Sequence, residues 1–206
     1  MSLLMIYICK WYCKTSMKVK FCGMTNFEDA LYASEIGADF VGFVFYEKSK
    51  RFIPYKNAKI IIEKLNKKVK TVGVFVNQNE NEIKHFVNYC GLDYAQVYSD
   101  FNAFESIRVY RIKDKAPERV KSKGLILFDS FSHSVGGSGI GFDKSILRDI
   151  SYKDRLFVAG GIDSKNVRQI IDFGVFGVDL VSSVEKYPGK KDFEKMKEFI
   201  KIAKGL

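Results

Sequence analysis

Two side chains in this 206-residue sequence have the chemistry to move protons, and each closes a strand-like apolar run. Cys22 ends Lys18-Val19-Lys20-Phe21-Cys22 and is followed by Gly23, for a tight turn, and by Thr25-Asn26, a helix N-cap. Asp129 ends Leu125-Ile126-Leu127-Phe128-Asp129. A thiolate can take a proton, and a carboxyl whose pKa is raised by partial desolvation can give one, so the two make an acid and base of unlike chemistry. Each also has a plainer reading. A free cysteine is usually a small buried hydrophobe, and an aspartate after a strand can cap the next turn.

A thiol near its free pKa of roughly 8.5 is a poor base at neutral pH unless something stabilises the thiolate. Lys20 lies two residues before Cys22 and shares its strand face. A lysine facing inward needs a counter-charge, and Asp179 on the last strand-like run can supply it. A Lys20–Asp179 pair beneath Cys22 is therefore expected.

Strand-like runs lie at 18–22, 39–45, 71–76, 94–98, 109–112, 125–129, 156–159 and 176–181. Helical patterns fall between them at 27–36, 57–65, 81–89, 164–173 and 192–203, with weaker ones around Phe101 to Ile107 and Ala116 to Lys121. Alternation of this kind specifies a parallel sheet. Eight repeats, without a G-x-G-x-x-G motif after the first run, favour a closed barrel over an open doubly wound sheet. The expected fold is α/β, a single compact (β/α)8 TIM barrel over residues 17–206. Residues 1–16 are an N-terminal extension of unknown role, without the basic start and small-residue cleavage site of a signal peptide.

In such a barrel chemistry belongs at the carboxyl ends of the strands. Besides Cys22 and Asp129, those ends carry Gln96 and Tyr98 after the fourth strand, Gly160 and Gly161 after the seventh, and Ser182 and Ser183 after the eighth. Loops after strands seven and eight commonly bind phosphate in this fold, because exposed backbone N–H groups can approach the anion. Gly136-Gly137-Ser138-Gly139 adds a third glycine-rich loop after the sixth strand.

Composition bounds the rest. The sequence is 47% hydrophobic, enough for one sizeable core, and has no apolar run near the roughly 18 residues that cross a bilayer. Its net charge of +10 comes from scattered lysines without the interleaved aromatic and glycine pattern of an RNA-recognition sheet, so no nucleic-acid or membrane partner is expected. Cys9, Cys13, Cys22 and Cys90 form no C-x-x-C pair, and His85 and His133 are the only histidines, so no zinc site is expected. Free thiols fit a reducing cytoplasm.

The sequence from Met17 to Leu206 resembles the phosphoribosylanthranilate isomerase family. The resemblance rests on the opening through Cys22, Gly37-Ala38-Asp39-Phe40-Val41-Gly42-Phe43-Val44-Phe45, Ser49-Lys50-Arg51-Phe52-Ile53, Val72-Gly73-Val74-Phe75-Val76-Asn77, the Gly136–Gly139 loop with Phe142-Asp143, and Pro188-Gly189-Lys190-Lys191-Asp192. It implies a tryptophan-pathway Amadori rearrangement of a phosphosugar-anthranilate, with Asp129 as general acid, Cys22 as general base and Arg51 meeting the anthranilate carboxylate. It further implies Gln96, Gly137, Gly160, Gly161, Ser182 and Ser183 around the substrate, no metal or organic cofactor, a cytoplasmic monomer or homodimer, and the barrel fold.

The chain departs from the family pattern on the phosphate side. It reads Gln96-Val97-Tyr98-Ser99 where Gln-Leu-His-Gly is typical, and Ile140-Gly141 where Lys-Thr is common. In the eighth loop Ser183 replaces a glycine and Val181 a serine, which would strain the backbone if that position needed a glycine-only conformation. Two other readings stay open: another phosphosugar-processing barrel, or a basic barrel that binds phosphate or nucleic acid without catalysis.

Overall fold

The computed structural model of the chain describes residues 17–99, 101, 105–122, 124–130 and 142–206. Eight parallel strands close into a barrel in sequence order: β1 (Lys18–Phe21), β2 (Phe40–Val44), β3 (Lys70–Phe75), β4 (Tyr94–Val97), β5 (Ser106–Ile112), β6 (Leu125–Ser130), β7 (Leu156–Val158) and β8 (Gly177–Leu180). Closure is made by β8 on β1, where Lys18 to Phe21 pair with Gly177 to Leu180.

Alternation along each strand separates two cores. Outward residues such as Val19 and Phe21 pack under the helices, with Phe21 edge-on to Phe199. Inward residues including Phe40, Val72, Ile107, Val109, Leu127 and Phe157 fill the barrel. At its amino-terminal end the filling is aromatic. Phe40 and Phe157 meet at 5.2 Å and 90°, and Phe157 and Phe176 at 5.1 Å and 86°, both favourable edge-to-face pairs.

The helices are α1 (Phe27–Glu35), α2 (Tyr55–Lys64), α3 (Glu80–Cys90), α4 (Val167–Asp172) and α5 (Phe193–Lys204). Asn26 caps α1 by accepting from the Asp29 N–H, as its sequence position suggests, and Asn79 with Glu82 forms a capping box on α3. Two expected helices are corrected. Ser106 and Ile107 open β5, whose Ser106-Ile107-Arg108-Val109 alternates with period two rather than 3.6, and residues 102–104 lie outside the described residues. Residues 116–121 are irregular, with a bend at 118–119, because Pro117 supplies no N–H and the run has too few apolar residues for a helix face. The Tyr152 hydroxyl ties this segment down by donating to the Pro117 carbonyl at 2.6 Å. Between β6 and β7 the chain makes two short 3-10 turns, at Lys144–Leu147 and Lys153–Arg155. Among the described residues the barrel therefore has no α-helix between β4 and β7.

One element has no counterpart in the sequence reading. After β8 a hairpin of β9 (Glu185–Tyr187) and β10 (Lys190–Lys191) turns at Pro188-Gly189 before α5. It is fastened to α1 through buried Asp29, which accepts from the Lys191 N–H at 2.8 Å and from Lys190 Nζ at 2.7 Å.

Candidate active site

Cys22 continues β1 by one residue, its N–H donating to the Leu180 carbonyl at 2.8 Å, and its sulfur faces the barrel mouth. Gly23 then turns the chain with φ +77°, and a Cβ there would sit 3.0 Å from Cγ of Arg51. Glycine is thus needed both for the turn and for the arginine stem that packs on it.

The expected pair lies below the thiol. Lys20 and Asp179 are register partners on β1 and β8, and Lys20 Nζ meets Asp179 Oδ1 at 2.9 Å with both side chains buried. Burial works against the Lys20 ammonium, but Asp179 and Cys22 outweigh it and hold its pKa above the ordinary lysine range. Burial also pushes the Cys22 thiol up; Lys20 and Lys191 pull it only partly back. In the free protein the sulfur is therefore a thiol at neutral pH.

Asp129 stands on β6 beside Arg111 of β5, its register partner. Burial first, and then the charge of Asp179, raises its carboxyl to about 6, against the pull of the Ser130 N–H, Arg111 and Lys144. About a tenth of it is protonated at pH 7, so it can donate where an ordinary aspartate cannot. Tyr98, under the Arg111 guanidinium at 5.2 Å, is held as a phenol by burial and by the Asp129 charge. Gln96 is 4% exposed, and its side-chain oxygen has no hydrogen-bond partner among the described residues.

Arg51, in the loop between β2 and α2, is held by Glu185 of β9: Nη2 donates to Oε2 at 2.7 Å and Nε to Oε1 at 3.3 Å. Burial would raise the Glu185 carboxyl, but Arg51 and Lys191 hold it below the ordinary glutamate range. The fork is thereby aimed, and Arg51 lines the pocket.

On the opposite side Gly160 and Gly161, at φ +81° and +66°, expose their backbone after β7, and Asn166 Nδ2 braces the loop by donating to the Gly161 carbonyl at 2.7 Å. Ser182 and Ser183 start a 3-10 turn after β8. Among the described residues no non-glycine has positive φ, so Ser183 takes the family's glycine position without backbone strain. Lys144 reaches the Gly160 carbonyl at 3.1 Å across the face of Phe142, and burial lowers its pKa to about 8 against the pull of Asp129.

One pocket opens at the carboxyl ends of the strands. It unites Cys22, Asp129, Arg51, Gln96, Gly160, Gly161, Ser182 and Ser183. Gly137 lies outside the described residues. Sequence reasoning missed Glu185, Lys191, Lys144 and Arg111. Only Arg111 had an accessible signal, since it follows Ile107 and Val109 on the inward face of β5. Among the described residues no three His, Cys, Asp or Glu side chains converge to hold a metal ion.

Fold and pocket together are those of a (β/α)8-barrel enzyme. The sequence model of N-(5'-phosphoribosyl)anthranilate isomerase matches residues 19–202, and the chain belongs to that family. It is 41% identical over 206 residues to N-(5'-phosphoribosyl)anthranilate isomerase of Thermotoga maritima, covering 92% of this chain and 100% of the relative. The crystal structure of phosphoribosyl anthranilate isomerase from Thermotoga maritima superposes with a TM-score of 0.80 at 37% identity, covering 92% of this chain and 100% of that one. A crystal structure of phosphoribosyl anthranilate isomerase in complex with reduced 1-(o-carboxyphenylamino)-1-deoxyribulose 5-phosphate gives 0.76 at 35% identity, with the same coverage of both chains.

Proposed function

We propose that this chain converts N-(5'-phosphoribosyl)anthranilate to 1-(2-carboxyphenylamino)-1-deoxyribulose 5-phosphate, the Amadori step of tryptophan biosynthesis. The reading is carried by one observation: a buried thiol and a carboxyl raised to about 6 share a pocket with a guanidinium fork and two backbone-rich loops.

Asp129 gives its proton to the furanose ring oxygen as the C1'–O bond breaks, and the nitrogen lone pair closes a C1'=N bond to form a cationic imine. That cation acidifies C2'. Cys22, in the ionised fraction of the enzyme, takes the C2' proton as thiolate, and the electron pair left behind forms C1'=C2' as the imine electrons return to nitrogen. The enolamine then shifts its hydroxyl proton from O2' to C1' and becomes the ketone. The rearrangement is redox-neutral and needs no external oxidant or reductant, and the proposal includes no metal or organic cofactor.

Arg51 fits the anthranilate carboxylate, and Gln96 offers its unused oxygen to a substrate N–H or hydroxyl. The N–H groups around Gly160-Gly161 and Ser182-Ser183 fit the phosphate, with Gly137 as a further contact. Residues 17–206 form the catalytic barrel and 1–16 an extension. The protein works in the cytoplasm as a monomer or homodimer. No helix among the described residues is long and apolar enough to cross a membrane.

The test follows the loss of anthranilate-type fluorescence when enzyme meets freshly generated phosphoribosylanthranilate, with Cys22→Ala and Asp129→Asn beside wild type. Fast decay in wild type and large losses in both variants are expected. Decay no faster than the spontaneous rate in folded wild type would overturn the assignment.

A further inference from the structure

Lys191 is 1% exposed on the second limb of the β9–β10 hairpin, and its Nζ makes three bonds. It donates to the Cys22 carbonyl at 2.6 Å, to the Val181 carbonyl at 3.2 Å and to Glu185 Oε1 at 3.3 Å. Those acceptors belong to three parts of the pocket: the end of β1 with its thiol, the loop entering Ser182-Ser183, and the carboxylate that aims Arg51. The first two are carbonyls at strand ends, where barrel pairing runs out and, among the described residues, no backbone N–H donates to them.

We propose that Lys191 is a positioning residue whose single ammonium fixes the Cys22 sulfur, the Ser182-Ser183 loop and Arg51 relative to one another. A buried lysine is tolerated only when paired and fully hydrogen-bonded, and three donors here meet three acceptors, one of them a carboxylate. An arginine fork, planar and rigid, cannot converge on acceptors spread over three elements. Charge adds a second effect. Burial lowers the Lys191 pKa against the pull of Glu185 and Cys22, and Arg51 shares that carboxylate, so while Lys191 is protonated this corner of the pocket keeps one net positive charge, which suits a substrate with two anionic groups and a sulfur that must ionise. Lys190 and Lys191 are neighbours in sequence, yet the hairpin turns one outward to α1 and the other into the site.

The proposal rests on the reading of Cys22 as base, and its test is read without turnover. In the full chain, the rate at which iodoacetamide alkylates Cys22 is followed against pH, with the site resolved by peptide mass spectrometry. The binding of inorganic phosphate is measured alongside. In Lys191→Met the alkylation midpoint moves up by about 1 pH unit, because a cation near the sulfur is gone, and phosphate binds more weakly. Lys191→Gln can still donate to both carbonyls, so it recovers phosphate binding while its thiol midpoint stays high. A wild-type midpoint and wild-type phosphate affinity in folded Lys191→Met overturn the proposal. Should that variant fail to fold, a wild-type midpoint in folded Lys191→Gln overturns it equally. A wild type that shifts as described against its variants but does not turn over phosphoribosylanthranilate would sink the functional assignment and leave Lys191 in its role.

Discussion

Gly42 of β2 stands directly against Cys22: a methyl group built on it would lie 2.6 Å from Sγ and 3.2 Å from both Cα and Cβ of Cys22. The thiol occupies the volume that any other residue would fill, because the two strands run side by side with Phe21 paired to Val41. Gly42→Ala should overpack this point at a cost of about 1–3 kcal/mol. It should also lower kcat by about 10²-fold by displacing the sulfur, with the fold retained. Thermal melts and steady-state kinetics check both, and an unchanged kcat would mean the sulfur has room to move.

The acid and base predict an unusual pH profile. With Asp129 as the proposed acid and Cys22 as the proposed base, the active form needs Asp129 protonated, at a pKa of about 6, and Cys22 ionised, at a pKa above the ordinary thiol range. Below pH 6 the carboxyl is protonated and kcat/KM rises with the thiolate. Above pH 6 the thiolate still grows while the protonated carboxyl falls in step, giving a plateau. Past the thiol pKa the thiolate saturates and the rate declines. Asp129→Asn should lower kcat by about 10²-fold or more and remove the plateau, leaving a rate that climbs with pH up to the thiol pKa. A break near pH 6 that survives in Asp129→Asn would assign it to another group.

Lys20→Met leaves Asp179 buried without its partner. The loss should be about 3–5 kcal/mol, and Lys20→Met with Asp179→Leu should regain much of it. Urea unfolding of the two variants and wild type measures this directly. Removing the Lys20 charge should also raise the Cys22 alkylation midpoint. Unchanged thiol titration and activity in Lys20→Met would mean that the pair only fills the barrel.

Arg51→Lys keeps the charge but loses the two-point hold on Glu185. KM should rise by about tenfold or more with a smaller change in kcat, since the proposed carboxylate contact would be made in substrate and transition state alike.

Arg51→Ala adds a pH signature. The Glu185 carboxyl lies below its ordinary range in the folded chain, so its contribution to stability is present above the unfolded glutamate pKa and lost as pH falls through the folded one. The stability difference between wild type and Arg51→Ala should therefore be larger at pH 7 than at pH 3, and a constant difference would show that Glu185 draws nothing from Arg51.

Strand order, closure and most of the pocket were legible because both depend on local signals. Period-two alternation placed Lys20, Cys22, Leu127 and Asp129 on the inward face, and strand ends placed the loops. Helix assignment failed where the signal was thin. The Phe101 to Ile107 run is too short for periodicity to decide between helix and strand, and tertiary pairing with β4 and β6 makes its end a strand. The Lys20–Asp179 pair could be anticipated because a barrel closes its last strand on its first. The Lys191 contacts could not, since they depend on a hairpin packing against α1 and on an Asp29 whose burial no local pattern reveals.

The aromatic filling at the amino-terminal end has a bearing on how this enzyme can change. Phe40, Phe157, Phe176 and Tyr94 form an aromatic floor at one end of the barrel axis, and the pocket stands at the other. Robustness and turnover are thus seated at opposite poles of one short axis. Heat tolerance can be raised or lowered by repacking the floor while the mouth is free to drift toward new sugar phosphates, so the same barrel can be tuned for endurance and for chemistry by separate hands.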